Sequence, residues 1–256
     1  MDIQDLSWEE VLEISFKNYL KFGARSSKKL IPPHFWIREK LKQYFDESYE
    51  FYSFGLGNSK FDKEYSVEGV AYNKKSDVSI IKNGEVVGVV SFKFVSSNYN
   101  QNSNNYFENL LGECFNIQAK NIPFCHILVM RDKIPYYESN GNFKKCEKLK
   151  NHHLKKYVNI LNLDENYAIP NKLCINIIKI SVENNDIKIL SPKKFAKMNE
   201  KNDEDKKDLE KILESLSIKI IDSFEDCSDE VSKELKNMDI NQTLKDFSSI
   251  VKSRCD

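Results

Sequence analysis

The chain has 256 residues, 40% of them hydrophobic, and Lys plus Arg balance Asp plus Glu at 39 each. That length supports one good core, or one core with a small appendage, and the neutral balance means that any nucleic-acid binding must come from a local basic surface. The six cysteines (Cys114, Cys125, Cys146, Cys174, Cys227, Cys255) show no CxxC spacing, no apolar run approaches membrane length and residues 1–5 lack the start of a signal peptide, so the expectation is a soluble cytoplasmic protein with free thiols and no membrane partner.

Residues 7–22 open on Ser7 as an N-cap, and Trp8, Val11, Leu12, Ser15, Phe16, Tyr19 and Leu20 recur at helical spacing, which predicts an amphipathic helix. A basic link from Arg25 to Lys29 leads to Pro32-Pro33, after which Phe35, Trp36, Ile37, Leu41, Tyr44 and Phe45 mark a second helix started by proline. Gly55-Leu56-Gly57 breaks that pattern and is too short for a phosphate-binding fingerprint. A strand is expected over residues 64–72, with Tyr65, Val67 and Ala71 alternating.

Residues 77–93, DVSIIKNGEVVGVVSFK, read as a β-hairpin with Ser91 and Lys93 on one face. Asn83-Gly84 most often makes a two-residue loop, which would pair Asp77 with Val90 and put the aspartate on the face opposite Lys93. For Asp77 to share that face, the hairpin needs either a three-residue loop over residues 82–84, with Gly84 left-handed in a bulge, or an extra bulge within one of the strands.

Residues 96–105 read as a polar connection, either solvated or facing DNA through its amides. Phe107, Leu110, Leu111, Cys114, Phe115, Ile117 and Gln118 trace one face of a helix, and residues 124–130 form an apolar run suited to a buried strand. Pro135-Tyr136-Tyr137 and Gly141-Asn142 are turn signals, and Lys144 to Lys156 is a basic stretch that reads either as a phosphate-following surface or as a solvated helix face. His152 and His153 diverge, with no Cys or acid at zinc-ligand spacing. Strands are expected over 173–180 and 187–190. From about residue 197 the composition shifts to Lys, Asp and Glu, with Leu209, Ile212, Leu213 and Leu216 periodic and then Val231, Leu235 and Met238. This predicts a domain over 1–195 and a charged helical C-terminal appendage over 196–256, docked on the core or on a second subunit.

A strand opening on Asp77, a short turn and a strand ending in Ser91-Phe92-Lys93 resembles the PD-(D/E)xK nucleases, the superfamily that includes most type II restriction endonucleases. The order αα-β-β-β-α-β over about residues 35–130 resembles that family's core too. Two positions depart from its pattern: Ser76 stands where the family has Pro, and Ser91 where it has Glu or Asp. The resemblance implies an α/β fold with a restriction-endonuclease-like core (mixed β-sheet, αβββαβ order) behind N-terminal helices. It implies a Mg²⁺-dependent homodimer that hydrolyses double-stranded DNA at a specific sequence, leaving 5′-phosphate ends, in a prokaryotic cytoplasm that also holds a cognate DNA methyltransferase.

The same resemblance implies roles. Asp77 and the backbone carbonyl of Phe92 would bind the metal, Lys93 would organise the attacking water, and Ser91 would be a hydrogen-bonding neighbour. Restriction enzymes that carry Ser at this place take the carboxylate from the following helix, where Glu108 and Glu113 fall on opposite borders of the apolar stripe at about 100° per residue. The first turn of a crossover helix lies near the end of the preceding strand. Glu108 is therefore the expected catalytic and metal-binding acid, with Glu113, about 7 Å further along the axis, the second candidate. Glu64 and Glu68 are accessory candidates. Two other functions fit these residues: a structure-specific repair or recombination nuclease, and a non-catalytic DNA-binding protein on a decayed nuclease core.

Overall fold

Ser7 opens α1 (Trp8–Phe22) with a reciprocal cap: its hydroxyl accepts from the Glu10 amide, and the Glu10 carboxylate accepts from the Ser7 amide at 2.7 Å. Pro32 and Pro33 occupy the first turn of α2 (Ile31–Lys42), where an amide hydrogen would find no intrahelical acceptor. The computed structural model describes residues 2–57, 59–164, 168–182, 190–199 and 203–255. The chain continues through β1 (Tyr49–Ser53), β2 (Tyr65–Glu68), β3 (Asn73–Ser76), β4 (Val78–Lys82), β5 (Glu85–Val95), α3 (Tyr99–Gln118) and β6 (Phe124–Arg131). It then forms β7 (Lys133–Tyr137), β8 (Phe143–Lys148), α4 (Asn151–Leu161), β9 (Lys172–Ser181), α5 (Pro192–Asn199), α6 (Asp203–Ser215), β10 (Ser217–Ile221), α7 (Asp229–Asn237) and α8 (Ile240–Ser253).

The architecture is mixed α/β. One six-stranded sheet has the order β1-β4-β5-β6-β9-β10, and β2-β3 and β7-β8 form two separate hairpins. β1, β4 and β5 run antiparallel, β5, β6 and β9 run parallel, and β10 returns antiparallel on β9. Three expectations are corrected, and a fourth falls largely outside the described residues. The strand expected over 64–72 is β2 plus a turn, and the first strand of the sheet is β1, which is not among the expected strands. The polar connection over 96–105 is mostly helix, because α3 starts at Tyr99 after a single left-handed residue, Asn98, with φ 56°. Pro135, Tyr136 and Tyr137 lie within β7, with the turn after them. Of the strand expected over 187–190, residues 187–189 lie outside the described residues.

Strand alternation assigns the two sheet faces. Phe92 and Phe94 of β5 meet α1 and α2, with Phe92 edge-on to Trp8 at 5.9 Å and Phe94 beside Phe16 at 6.3 Å. Ser91 and Lys93 point the other way, toward α3.

The C-terminal residues are built into the same core. Ile218 of β10 pairs with Ile180 of β9, and Phe247 and Val251 of α8 are wholly buried. A Cβ on Gly88 would come within 2.8 Å of Val251, so β5 and α8 meet through a position that needs glycine. Residues 203–255 therefore supply a sheet edge and a covering helix, packed on the core, which is one of the two placements expected for them. Among the described residues no helix is long and apolar enough to cross a membrane. The six cysteines are all free thiols.

Candidate active site

The hairpin solves its register with a bulge. Asn83 and Gly84 both have positive φ, 53° and 81°, and make a two-residue turn that pairs Lys82 with Glu85 and Ile81 with Val86. Ile80 then pairs with Gly88, so Val87 is an extra residue on β5, and Val78 pairs with Val90. Extended by one residue, that register sets Asp77 against Ser91, on the side that carries Lys93. Of the two arrangements that bring Asp77 to this side, the bulge within a strand is the one adopted. The parallel pairing of β5 with β6 puts His126 beside Ser91.

Asp77 sits at the mouth of the hairpin. Its Oδ2 accepts the Phe92 amide at 2.7 Å, and its Oδ1 lies 3.8 Å from Nε2 of His34 on α2. Glu113 enters from α3: Oε2 accepts from the Ser91 hydroxyl at 3.1 Å, while Oε1 lies 2.8 Å from Nζ of Lys74 and 3.7 Å from Nζ of Lys93. A carboxylate from the helix thus reaches the serine that stands in the acid position, and it comes from Glu113. Glu108 is exposed and exerts its charge on Lys156 of α4. Glu113 and not Glu108 meets Ser91 because α3 starts at Tyr99, well before the first residue of its apolar stripe. The turns closest to the end of β5 are consequently asparagine-rich, and the residue that comes level with Ser91 lies later in the helix. Of the accessory acids, Glu64 is close enough to interact electrostatically with Asp77 and Lys93, whereas Glu68 is exposed and paired with Lys120 at 2.8 Å.

The charges tune one another. Burial pushes the Glu113 carboxyl up, but Lys93 and Lys74 outweigh it and leave the group below the ordinary carboxylate range. Burial works against the Lys93 ammonium, and Asp77 and Glu113 together more than offset it, so Lys93 stays charged. Burial, then the negative charge of Asp77, raises Glu64. His126 is pushed down to about 4 by burial and then by Lys93. His34 is also lowered by burial, against the pull of Asp77, which makes its contact with Asp77 one between a neutral ring and a carboxylate instead of an ion pair. Neither ring nitrogen of His34 has a hydrogen-bond partner.

Three participants escape reading from the sequence. Lys74 and His34 reach the site from elements remote in the chain. Asn116, one turn beyond Glu113, accepts from the Ala71 amide at 2.9 Å and donates to the Tyr72 carbonyl at 3.0 Å, which ties the β2-β3 turn to α3 and brings Lys74 to Glu113. Lysine and asparagine are so frequent in this chain that no local signal marks either. Of the six lysines in the Lys144 to Lys156 stretch, three are paired with carboxylates: Lys145 with Glu147, Lys148 with Glu225 and Lys155 with Glu230.

Asp77, Lys93 and Tyr106 line a cleft of about 330 Å³, walled on one side by the link between α1 and α2. Among the described residues no group of three or more His, Cys, Asp or Glu side chains converges as a metal cluster. Of the two carboxylates, Asp77 lines this cleft, while Glu113 is held beside Lys93 by Ser91 and Lys74. Compared with protein-family models, with curated proteins and with solved structures, the chain finds no match.

Proposed function

We propose that this cleft is the active site of a Mg²⁺-dependent deoxyribonuclease with a restriction-endonuclease-like core, of the PD-(D/E)xK type, and that it cuts double-stranded DNA at a specific sequence as a homodimer. The observation that supports this most is the Ser91–Glu113 hydrogen bond beside Lys93. It delivers a carboxylate to the place where a second acid is missing from the chain. Asp77 and Glu113 are the residues that would hold the metal, Asp77 through Oδ1, which does not accept the Phe92 amide and lies 3.8 Å from Nε2 of His34. When bound, Mg²⁺ offsets charge on the scissile phosphate and makes water more acidic. Lys93, kept as an ammonium, orients the attacking water and stabilises the charge that develops on phosphate oxygens. Ser91 steers Glu113, and the Phe92 amide fixes Asp77.

The test is cleavage of plasmid DNA by purified protein with Mg²⁺. Asp77→Ala, Lys93→Ala and Glu113→Gln should each lower the rate on the order of 10²-fold or more, with Glu108→Gln close to wild type. Discrete fragments support sequence-specific cleavage. Fork-selective cutting favours a repair or recombination nuclease on the same core. Full activity of Lys93→Ala would end the nuclease reading. One observation favours a non-catalytic DNA-binding protein instead, because Lys74 already occupies Oε1 of Glu113 at 2.8 Å. Metal-independent DNA binding without cutting would support it.

A further inference from the structure

We infer that the link between α1 and α2 is the backbone-gripping wall of this cleft, with Arg25 and Lys29 each holding a phosphate of duplex DNA that flanks the one presented to Asp77 and Lys93. This rests on the nuclease reading and adds to it the residues that bind the substrate backbone.

Arg25, Ser26, Ser27 and Lys29 line the same cleft as Asp77 and Lys93. Among the described residues, neither Arg25 nor Lys29 has a carboxylate within ion-pair distance, whereas Lys74, Lys120, Lys145, Lys148, Lys155 and Lys172 are all paired. Lys29 is half-buried, its ammonium 5.8 Å from the Tyr19 ring centroid, and burial pushes its pKa down. A cation kept partly out of water without a protein anion is stabilised when an anion arrives.

The link is also held in place before any ligand binds. The Ser15 hydroxyl donates to the Lys29 carbonyl at 2.5 Å, the Asn18 amide donates to the Lys28 carbonyl at 3.1 Å, and the Ser26 hydroxyl accepts from the Lys28 amide at 3.2 Å. Little ordering is then left to be done on binding. A cleft with unpaired cations on its wall and a carboxylate on its floor suits a ligand that is itself anionic and brings a cation to that carboxylate. A phosphodiester chain has this property. Two cationic positions along one link suit two phosphates of one chain better than a single anion.

The experiment is fluorescence anisotropy of labelled duplexes with the full chain, in chelator so that no cutting occurs, across a range of salt concentrations. Arg25→Gln and Lys29→Gln should each weaken binding about threefold to tenfold, equally for unrelated sequences, and each should reduce the slope of log K against log salt by about 1. Lys120→Gln removes a cation that is paired outside the cleft, and it should leave both quantities unchanged. Near-UV circular dichroism from Trp8 and Trp36 reports whether each variant is folded, and Arg25, being exposed, keeps the test valid should Lys29→Gln unfold. Wild-type affinity and slope in folded Arg25→Gln and Lys29→Gln would overturn the inference while leaving the nuclease reading standing. No binding of duplex by the wild type would overturn it as well. The nuclease reading fails separately, through full cleavage activity of Lys93→Ala.

Discussion

At the scale of single residues, Glu113 is contested. Lys74 and Lys93 both address Oε1, and Ser91 addresses Oε2. If Glu113 binds the metal, Lys74 competes with it for the same oxygen, and DNA phosphates can relieve that competition by drawing the ammonium away. Lys74→Gln should therefore bind Mg²⁺ or Mn²⁺ several-fold more tightly in a calorimetric titration without DNA. Unchanged affinity in Lys74→Gln, with affinity lost in Glu113→Gln, would mean that Lys74 does not compete. The histidines carry a second expectation. His126 and His153 are pushed down to about 4 and His34 is lowered, each chiefly by burial. Such a ring is neutral in the fold while the unfolded chain already binds a proton near pH 6.5, so its stabilising contribution is complete above about pH 6.5 and is lost as pH falls toward about 4. Urea midpoints should decline across that window, and His126→Gln should flatten the decline. A wild-type midpoint that stays constant from pH 7 to 4 would contradict it.

At the scale of elements, Val87 decides whether there is a site. The Asn83-Gly84 turn starts a register that would carry Asp77 to the wrong face, and the extra residue corrects it after two residue pairs. Deleting Val87 should leave a hairpin but detach Asp77 from the Phe92 amide, with cleavage abolished and the melting temperature lowered. Val87→Ala keeps the bulge and should remain close to wild type in both measurements. Equal activity in the deletion would mean that the shared face is not needed. The β2-β3 hairpin belongs to this scale too. Asn116 fills the space beside Gly69, where a Cβ would collide with it at 2.1 Å, so a side chain at residue 69 would push Lys74 away from Glu113.

At the scale of the whole molecule, the neutral chain gathers Asp77, Lys93 and Glu113 where the start of β4, the end of β5, α3 and the α1–α2 link meet. The far end is secured by the C-terminal residues. Ile218, Val231, Leu244, Phe247 and Val251 are buried in the common core. At roughly 2 kcal/mol each, their removal costs on the order of 10 kcal/mol, comparable with the whole stability of a typical domain. A chain ending at residue 195 should accordingly show no cooperative unfolding transition. A cooperative transition in that fragment would restore the division into domain and appendage.

Local patterns in the chain were enough to determine the elements whose signals are self-contained. The Ser7 cap and the apolar stripe of α1, the proline start of α2, the Asn-Gly turn and the continuous apolar run of β6 all depend on neighbours in sequence. The Asp77 and Lys93 pair was legible for the same reason, since both belong to one hairpin. What required the tertiary structure were the choices made by distant packing. The length of α3 put Glu113 and not Glu108 against Ser91, Asn116 brought Lys74 to it, and α2 set His34 beside Asp77. The place of residues 203–255 was decided by the open edge of β9 and the hollow over Gly88, neither of which exists until the sheet has formed. A charged sequence with a narrow apolar stripe looks like an appendage because periodicity records how much surface a helix buries, not what it is buried against.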